Sequence, residues 1–394
     1  MKIALGLEYP LTLRGGVSVL VEKLIEGIST RYDVVLVSPD APEFTHPAVC
    51  AHIHWDPAAV SRRTSEDLAA RLATLGVSLV HLHAGGNFGW GWRLPGQSPV
   101  TFLKRRNIPC ISTIHVVLSL LDAHCDPKKP TWFKLATLPI AWFGKLEALR
   151  SLSAEIVISQ QGCAQVRRWY WPMRHRFQSI YHSRLPEAPP SGQFTPREPL
   201  ILAVGHLGLR KGQHVLVTAF AKIAAAHPEW KLALMGDKGS DDCLEQVEEL
   251  VEKHKLKDRI LLLGGRDDAF DFMRRAAVFA QPSLFEGLPL ALQEAMFYQC
   301  ACVATRVPGN DELVQEGLTG LLVPPMRADK LAEALDRLIR DPALRTALGK
   351  AAAASILARR MTQRTMIERH LALYGSLLPA TQPGVAPILN LLQI

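Results

Sequence analysis

Two glutamates, two cations and a handful of glycines carry the chemistry legible in this sequence. In PSLFEGLPLALQEAM (282–296), Glu286 and Glu294 stand with seven residues between them. The segment reads as the end of a strand near Ala280, a turn through Gly287 and Pro289, and a helix opening at Pro289 or Leu290, where proline suits the first helical position. The N–H groups of that first turn have no partner within the helix and suit a phosphate or a sugar oxygen. Eight residues of helical rise put the two carboxylates up to about 12 Å apart, a reach that grips both ends of an extended ligand. A second segment, LAVGHLGLRKGQHVLVTAF (202–220), reads as a strand, a glycine-bearing loop with His206, Arg210 and Lys211, and a helix. Such a loop presents backbone N–H groups and a cation to a diphosphate. It is neither GxxxxGK[ST] nor GxGxxG, which weakens the NTPase and simple dinucleotide readings.

These residues need rigid elements to hold them. Lys2 to Leu7 predicts a short buried strand, followed by a loop with Gly15 and Gly16 and a helix whose apolar positions Val17, Leu20, Val21, Leu24, Ile25 and Ile28 recur at helical spacing. Strands follow at Val34–Ser38, Leu79–Leu82, Cys110–Ile114 and Ile156–Ser159, with a helix over Ser65–Leu75 and helical patterns between the others. The alternation predicts an α/β fold with a doubly wound parallel sheet. The pattern restarts at LILAVG (200–205) and runs through WKLALMG, RILLLGG, AAVFAQPS and CACVATRV with helices between, so a second domain of the same kind is expected.

Prolines 186, 189, 190, 196 and 199 leave no room for a regular element between the two patterns. The expected organisation is an N-terminal domain over 1–184, a linker over 185–199, a C-terminal domain over 200–364, and a helix and tail over 365–394 that pack back on the body. Two open sheets of this kind bind ligands in the crevice where their strand ends face each other.

The whole-chain figures bound the function class. The 394 residues are 48% hydrophobic and 21% charged, which excludes a disordered, collagen-like or coiled-coil chain. The seven cysteines are scattered without a CxxC pair or zinc spacing, so reduced thiols and the cytosol are expected. No run of 18 apolar residues predicts a membrane span, and Glu8 comes too early for a signal peptide. The net charge of +8 is concentrated: residues 100–184 hold thirteen Lys or Arg against four Asp or Glu.

The set GG at 15–16, STIH at 112–115, VG-L---KG at 204–212, PS-FEGLPL---EAM at 282–296 and TR-PG--E-V--G-TG-LVPP at 305–325 resembles the group 1, family 4 glycosyltransferases. The resemblance covers roughly residues 2 to 375 and is strongest from 200 to 340. It implies a GT-B fold, two Rossmann-like domains facing a cleft, and transfer of a hexose-type sugar from a UDP- or GDP-linked donor with retention. It implies that Glu286 meets donor sugar hydroxyls and Glu294 the ribose, with the backbone of Gly287, Leu288, Pro289 and Leu290 near sugar and phosphate. Lys211 is implied to neutralise the diphosphate, Gly16 to lie beneath it beside Gly15, His115 to bind the donor sugar or the reacting centre, and the loop with Arg266 to border the base. One departure stands out: His206 occupies the place where such enzymes commonly carry Arg, and Arg210 is the candidate replacement.

Breaking a sugar–phosphate bond builds negative charge on the leaving diphosphate, so preorganised cations and N–H dipoles are the main catalytic resource. No DxD pair or metal-spaced His cluster is apparent, so no metal and no cofactor are expected, with Lys211 and Arg210 standing in for a divalent cation. The acceptor is expected to be a glycan, a lipid-linked sugar or another hydroxyl compound. A GT-B epimerase or phosphorylase is the alternative enzyme. A non-catalytic scaffold is the alternative of another class. The basic segment 100–184 also holds four of the eight tryptophans, a mixture that suits the anionic inner face of a membrane. An apolar helix face with a solvated basic rim is the competing reading. Nucleic acid is not expected, since no binding module accompanies the charge.

Overall fold

The computed structural model describes residues 1–13, 15–123, 129–189 and 197–379. The described chain divides into two compact units, one of the described residues of 1–182 with 363–379 and one of the described residues of 183–362.

Unit 1 runs β1 (Lys2–Leu7), α1 (Gly16–Ile28), β2 (Asp33–Ser38), β3 (Ala51–His54), α2 (Arg62–Thr74), β4 (Val77–Ala84), α3 (Pro99–Arg105), β5 (Cys110–Ile114), α4 (Leu120–Ala123), α5 (Thr131–Ser151), β6 (Ala154–Val157), α6 (Gln160–Trp169) and β7 (Phe177–Ser179). Among the described residues its seven strands pair in parallel in the order β3-β2-β1-β4-β5-β6-β7. Strands this deeply covered read as continuous apolar runs, as KIALGL and DVVLVS do. α1 turns Leu20, Val21, Leu24, Ile25 and Ile28 onto the sheet. α2 opens on a capping box in which Ser61 and Thr64 satisfy each other's backbone N–H groups. The short edge strands β3 and β7 escape the sequence pattern, because three or four residues carry too little periodicity.

Unit 2 contains β8 (Glu198–Val204), α7 (Gln213–Ile223), β9 (Lys231–Met235), α8 (Cys243–Lys253), β10 (Ile260–Leu262), α9 (Ala269–Arg275), β11 (Ala276–Gln281), α10 (Leu290–Phe297), β12 (Ala301–Thr305), α11 (Asn310–Leu313), β13 (Leu321–Val323), α12 (Ala328–Arg340) and α13 (Pro342–Ala358). Its six described strands are again all parallel, in the order β10-β9-β8-β11-β12-β13. The last described helix, α14 (Gln363–Leu377), belongs to unit 1, where Tyr374 is fully buried.

The chain passes between the units at 182/183 and 362/363, and the described residues of 185–199 count with unit 2. The reason is local bonding: Ser183 Oγ donates to the Met361 carbonyl at 2.9 Å and Leu185 is buried, so both crossing segments are pinned inside unit 2. Part of the proline-rich stretch and the tail beyond 379 lie outside the described residues, as does Cys125. Of the other cysteines, Cys50 is exposed and Cys110, Cys163, Cys243, Cys300 and Cys302 are buried free thiols.

Candidate functional site

In unit 2 the strand order reverses between β8 and β11, which lie side by side with Val278 opposite Ile201 and Phe279 opposite Leu202. Loops leaving the carboxyl ends of two such strands diverge and leave a crevice, the usual ligand position in a doubly wound sheet. The loop after β8 carries His206, Arg210 and Lys211; the loop after β11 carries Glu286. They are locked together, since the Leu284 amide donates to the Arg210 carbonyl at 2.8 Å. Gly212 sits at φ +73°, and a Cβ there would come within 2.1 Å of the Pro282 carbonyl oxygen. Only glycine permits that approach. The buried Gln213 ties the first loop to the start of α7 through the His206 carbonyl at 2.9 Å.

The two loops bring Lys211, Arg210 and Glu286 into one cluster. Lys211 Nζ donates to Glu286 Oε1 at 2.7 Å, and Arg210 Nη1 lies 3.4 Å from Oε2. Ser283 Oγ and Gln281 Nε2 also donate to Oε1, at 2.7 and 3.0 Å. Glu286 is 6% exposed and Lys211 19%, so the pair is largely dry on the carboxylate side and wet on the ammonium side. Burial alone would raise the Glu286 carboxyl, but Lys211 and Arg210 outweigh it and hold the group below its ordinary value. Beneath them, Thr305 Oγ1 donates to the Ser283 carbonyl and Asn310 Nδ2 to the Thr305 carbonyl at 3.0 Å. The 305–312 segment is thus the floor of the site. Gly309, at φ +86°, allows the Gly287 carbonyl to come close.

Helix α10 begins at Leu290 with Pro289 as its N-cap, and its first intrahelical bond runs from the Gln293 amide to the Pro289 carbonyl. The amides of Leu290, Ala291 and Leu292 precede that bond and are available at the helix N-terminus. Leu288 and Pro289 are buried, while Gly287 and Leu290 are half-exposed.

Glu294 lies on the same helix but in a different environment. Its carboxylate is held bidentate by Arg184, Nε to Oε1 and Nη2 to Oε2, and no hydrogen bond or ion pair joins it to Glu286 among the described residues. Burial raises Glu294 above its ordinary value and Arg184 opposes the rise. Both carboxylates are engaged by cations, because an unpaired charge at this depth is too costly. Arg184 escaped the sequence reading, since a lone arginine in a proline-rich stretch carries no signal that a glutamate 110 residues away needs it. Arg266 stands apart on an exposed loop, paired with Asp268 at 2.6 Å. The half-exposed His206 ring has no hydrogen-bond partner among the described residues.

The remaining candidates belong to unit 1. Gly15 is the N-cap of α1 in extended backbone and Gly16 its exposed first residue. His115, just past β5, is buried in a ring of five histidines. Successive ring centroids are 4.1 Å apart for His81–His83, 5.4 Å for His83–His115, 5.3 Å for His115–His182, 5.3 Å for His182–His370 and 5.5 Å for His370–His81. His81 is fully bonded, to Tyr374 Oη and Thr113 Oγ1 at 2.7 Å each. His83 Nδ1 and His115 Nε2 are 3.2 Å apart and His370 Nδ1 meets the Met366 carbonyl. His83 Nε2, both nitrogens of His182 and His370 Nε2 are buried without a partner among the described residues. Burial drives His115 down to about 3 and His370 to about 4, and His81, His83 and His182 well below the usual imidazole value. Among the described residues, no group of His, Cys, Asp or Glu is placed to hold a metal ion.

The family model for glycosyl transferases group 1 matches residues 186–355. The alpha-D-kanosaminyltransferase of Streptomyces kanamyceticus is 25% identical over 70% of this chain and 71% of its own length. The N-acetylgalactosamine-N,N'-diacetylbacillosaminyl-diphospho-undecaprenol 4-alpha-N-acetylgalactosaminyltransferase of Campylobacter jejuni is 30% identical over 38% of this chain and 40% of its own length. Among solved structures, Anabaena HepE in complex with UDP superposes with a TM-score of 0.73 at 18% identity, covering 95% of this chain and 100% of that one. The last likeness is one of fold.

Proposed function

We propose that this chain, whose residues 186–355 match the family model for glycosyl transferases group 1, moves a hexose-type sugar from a UDP- or GDP-linked donor to a hydroxyl of a glycan or lipid-linked acceptor, with retention and without a metal. The observation that carries the reading is the Lys211–Arg210–Glu286 cluster at the strand-order switch of unit 2. Glu286 Oε1 is fully engaged by Lys211, Ser283 and Gln281, so Oε2 keeps acceptor capacity for a sugar hydroxyl. Lys211 retains N–H donors for a phosphate oxygen, and the Leu290–Leu292 amides add the helix N-terminus. As the sugar–phosphate bond breaks, these groups meet the growing charge on the diphosphate without reorganising. In this reading Glu294 accepts the ribose hydroxyls and Arg266 borders the base.

A thermal-shift screen against UDP, GDP, ADP and their sugars, followed by product analysis with whichever sugar donor stabilises the chain, tests this. Stabilisation by UDP or GDP and a retained anomer are expected. Indifference to every nucleotide would remove the proposal, donor interconversion without acceptor would favour an epimerase, and dependence on inorganic phosphate a phosphorylase.

The acceptor side has its own support. α5 turns an apolar stripe outward, with Trp132 70%, Leu135 55%, Ile140 52% and Phe143 60% exposed, while Lys134 and Lys145 are buried on its other side. Trp171 is likewise exposed, and Lys129, Arg168 and Arg174 are exposed nearby in sequence. No described helix is long and apolar enough to cross a membrane. Aromatic anchors among cations suit the surface of an anionic bilayer, and we place the enzyme as a peripheral protein at the cytoplasmic face. Flotation with vesicles rich in phosphatidylglycerol is expected to capture the chain at low salt and release it at high salt; no capture at low salt would end this part.

A further inference from the structure

Arg184 is the second residue of unit 2 and lies outside every motif of the sequence. Its neighbours fix it, with Ser183 bonded to the Met361 carbonyl and the Leu185 amide donating to Ser183 Oγ at 3.2 Å. Its guanidinium lies 4.8 Å from the centroid of the Phe270 ring and spans both oxygens of Glu294. Glu294 is 2% exposed and Arg184 29%, so the pair has a dry end and a wet end. A fork of two parallel N–H donors occupies one lone pair on each carboxylate oxygen. A second lone pair on each remains for hydroxyl donors.

We propose that Arg184 is a positioning residue of the donor site, holding Glu294 as an oriented, doubly accepting carboxylate for the two vicinal ribose hydroxyls of a nucleoside diphosphate. The inference rests on the reading of Glu294 as the ribose acceptor. Without Arg184 the buried carboxyl loses the one charged side chain that opposes its desolvation, with Tyr298 the remaining titratable neighbour of the pair. It then takes up a proton, turns one acceptor into a donor, and is free to rotate.

Equilibrium binding of UDP and of 2′,3′-dideoxy-UDP to the full chain tests this, with GDP and its dideoxy analogue as the second probe pair. Arg184→Ala is expected to weaken UDP binding roughly tenfold to a hundredfold, the range for losing a charged hydrogen-bond partner. It should leave the dideoxy analogue, already without hydroxyls, nearly unaffected. The UDP loss relative to wild type should grow from pH 8 to pH 6 as Glu294 protonates, the titration of the UDP phosphate itself being common to both proteins, and Arg184→Lys should recover part of it. Arg184→Lys also serves if the alanine variant fails to fold. Equal losses for UDP and the dideoxy analogue, or unchanged UDP binding where Glu294→Gln weakens it, would overturn the role of Arg184 and leave the transferase reading standing. Wild-type binding that ignores both Glu294→Gln and the missing hydroxyls would instead remove the ribose role of Glu294, and this inference with it.

Discussion

The two units bury charge-bearing side chains in opposite ways. In unit 2, Glu286 and Glu294 are each matched by cations from distant segments, Lys211 and Arg210 for the first and Arg184 for the second. In unit 1, five histidines pack against one another, and among the described residues no charged carboxylate is what shifts them: burial comes first, with the other histidines of the ring beside it. A matched carboxylate is ready for use at neutral pH. An unmatched imidazole survives only as the neutral form, which builds acid sensitivity into the packing of α14, the segment carrying His370 and Tyr374.

The largest expected effect follows from that asymmetry. Each imidazole that is neutral when folded and free to titrate when unfolded costs about 1.4 kcal/mol per pH unit below about 6.5. The sign is that of a depressed histidine: stability is complete above the unfolded value and falls as pH drops through it. Five such groups cost up to about 7 kcal/mol per unit, against a typical total of about 5–15 kcal/mol. Urea midpoints should therefore collapse between pH 7.5 and 5.5, and His182→Phe should lessen the slope by about one proton. Coincident midpoints at the two pH values would mean that the ring accepts protons in place.

Next in size is the matched cluster. Lys211→Ala should reduce kcat/KM by roughly a hundredfold to a thousandfold, the scale of losing one preorganised donor to a developing oxyanion. It should also lower the melting temperature, because Glu286 keeps Ser283 and Gln281 as hydrogen-bond donors but has only the more distant Arg210 as a cation. Combining Lys211→Met with Glu286→Gln should restore much of the melt and none of the turnover. Recovery of activity in the double variant would show that the pair serves stability alone.

Gly212→Ala comes third. The clash with the Pro282 carbonyl and the positive φ should cost about 1–3 kcal/mol and raise the KM for donor by moving Lys211. An unchanged melt would mean that the loop is softer than its packing indicates. Smallest is Arg266→Ala: its exposed pair with Asp268 should leave the melting temperature where it was. A weakened nucleotide Kd in that variant would confirm the base contact, and an unaltered one would remove it.

How much of this was legible depends on distance along the chain. The strand Lys2–Leu7, the helix opening at Leu290 and the restart near residue 200 are local patterns, and so is the glycine-and-cation loop. The edge strands β3 and β7 were not, nor was the outward-facing apolar stripe of α5, because periodicity reports that a helix has two faces without saying which one packs. The resemblance pointed to Glu286, Glu294 and Lys211, yet their engagement with one another and with Arg184 has no local signature.

Sequence by itself determined the alternation of elements, the two parallel sheets and the residue types available for holding an activated sugar, since each is written in spacings of two to eight residues. Tertiary structure alone decided which cation answers which carboxylate, across 75 residues for Lys211 and Glu286 and 110 for Arg184 and Glu294. It also closed a histidine ring in which His81 meets Tyr374 across 293 residues. The cost of burying charge or an unsatisfied ring nitrogen is incurred only when the chain is packed, so its remedy is chosen by whatever packing brings near.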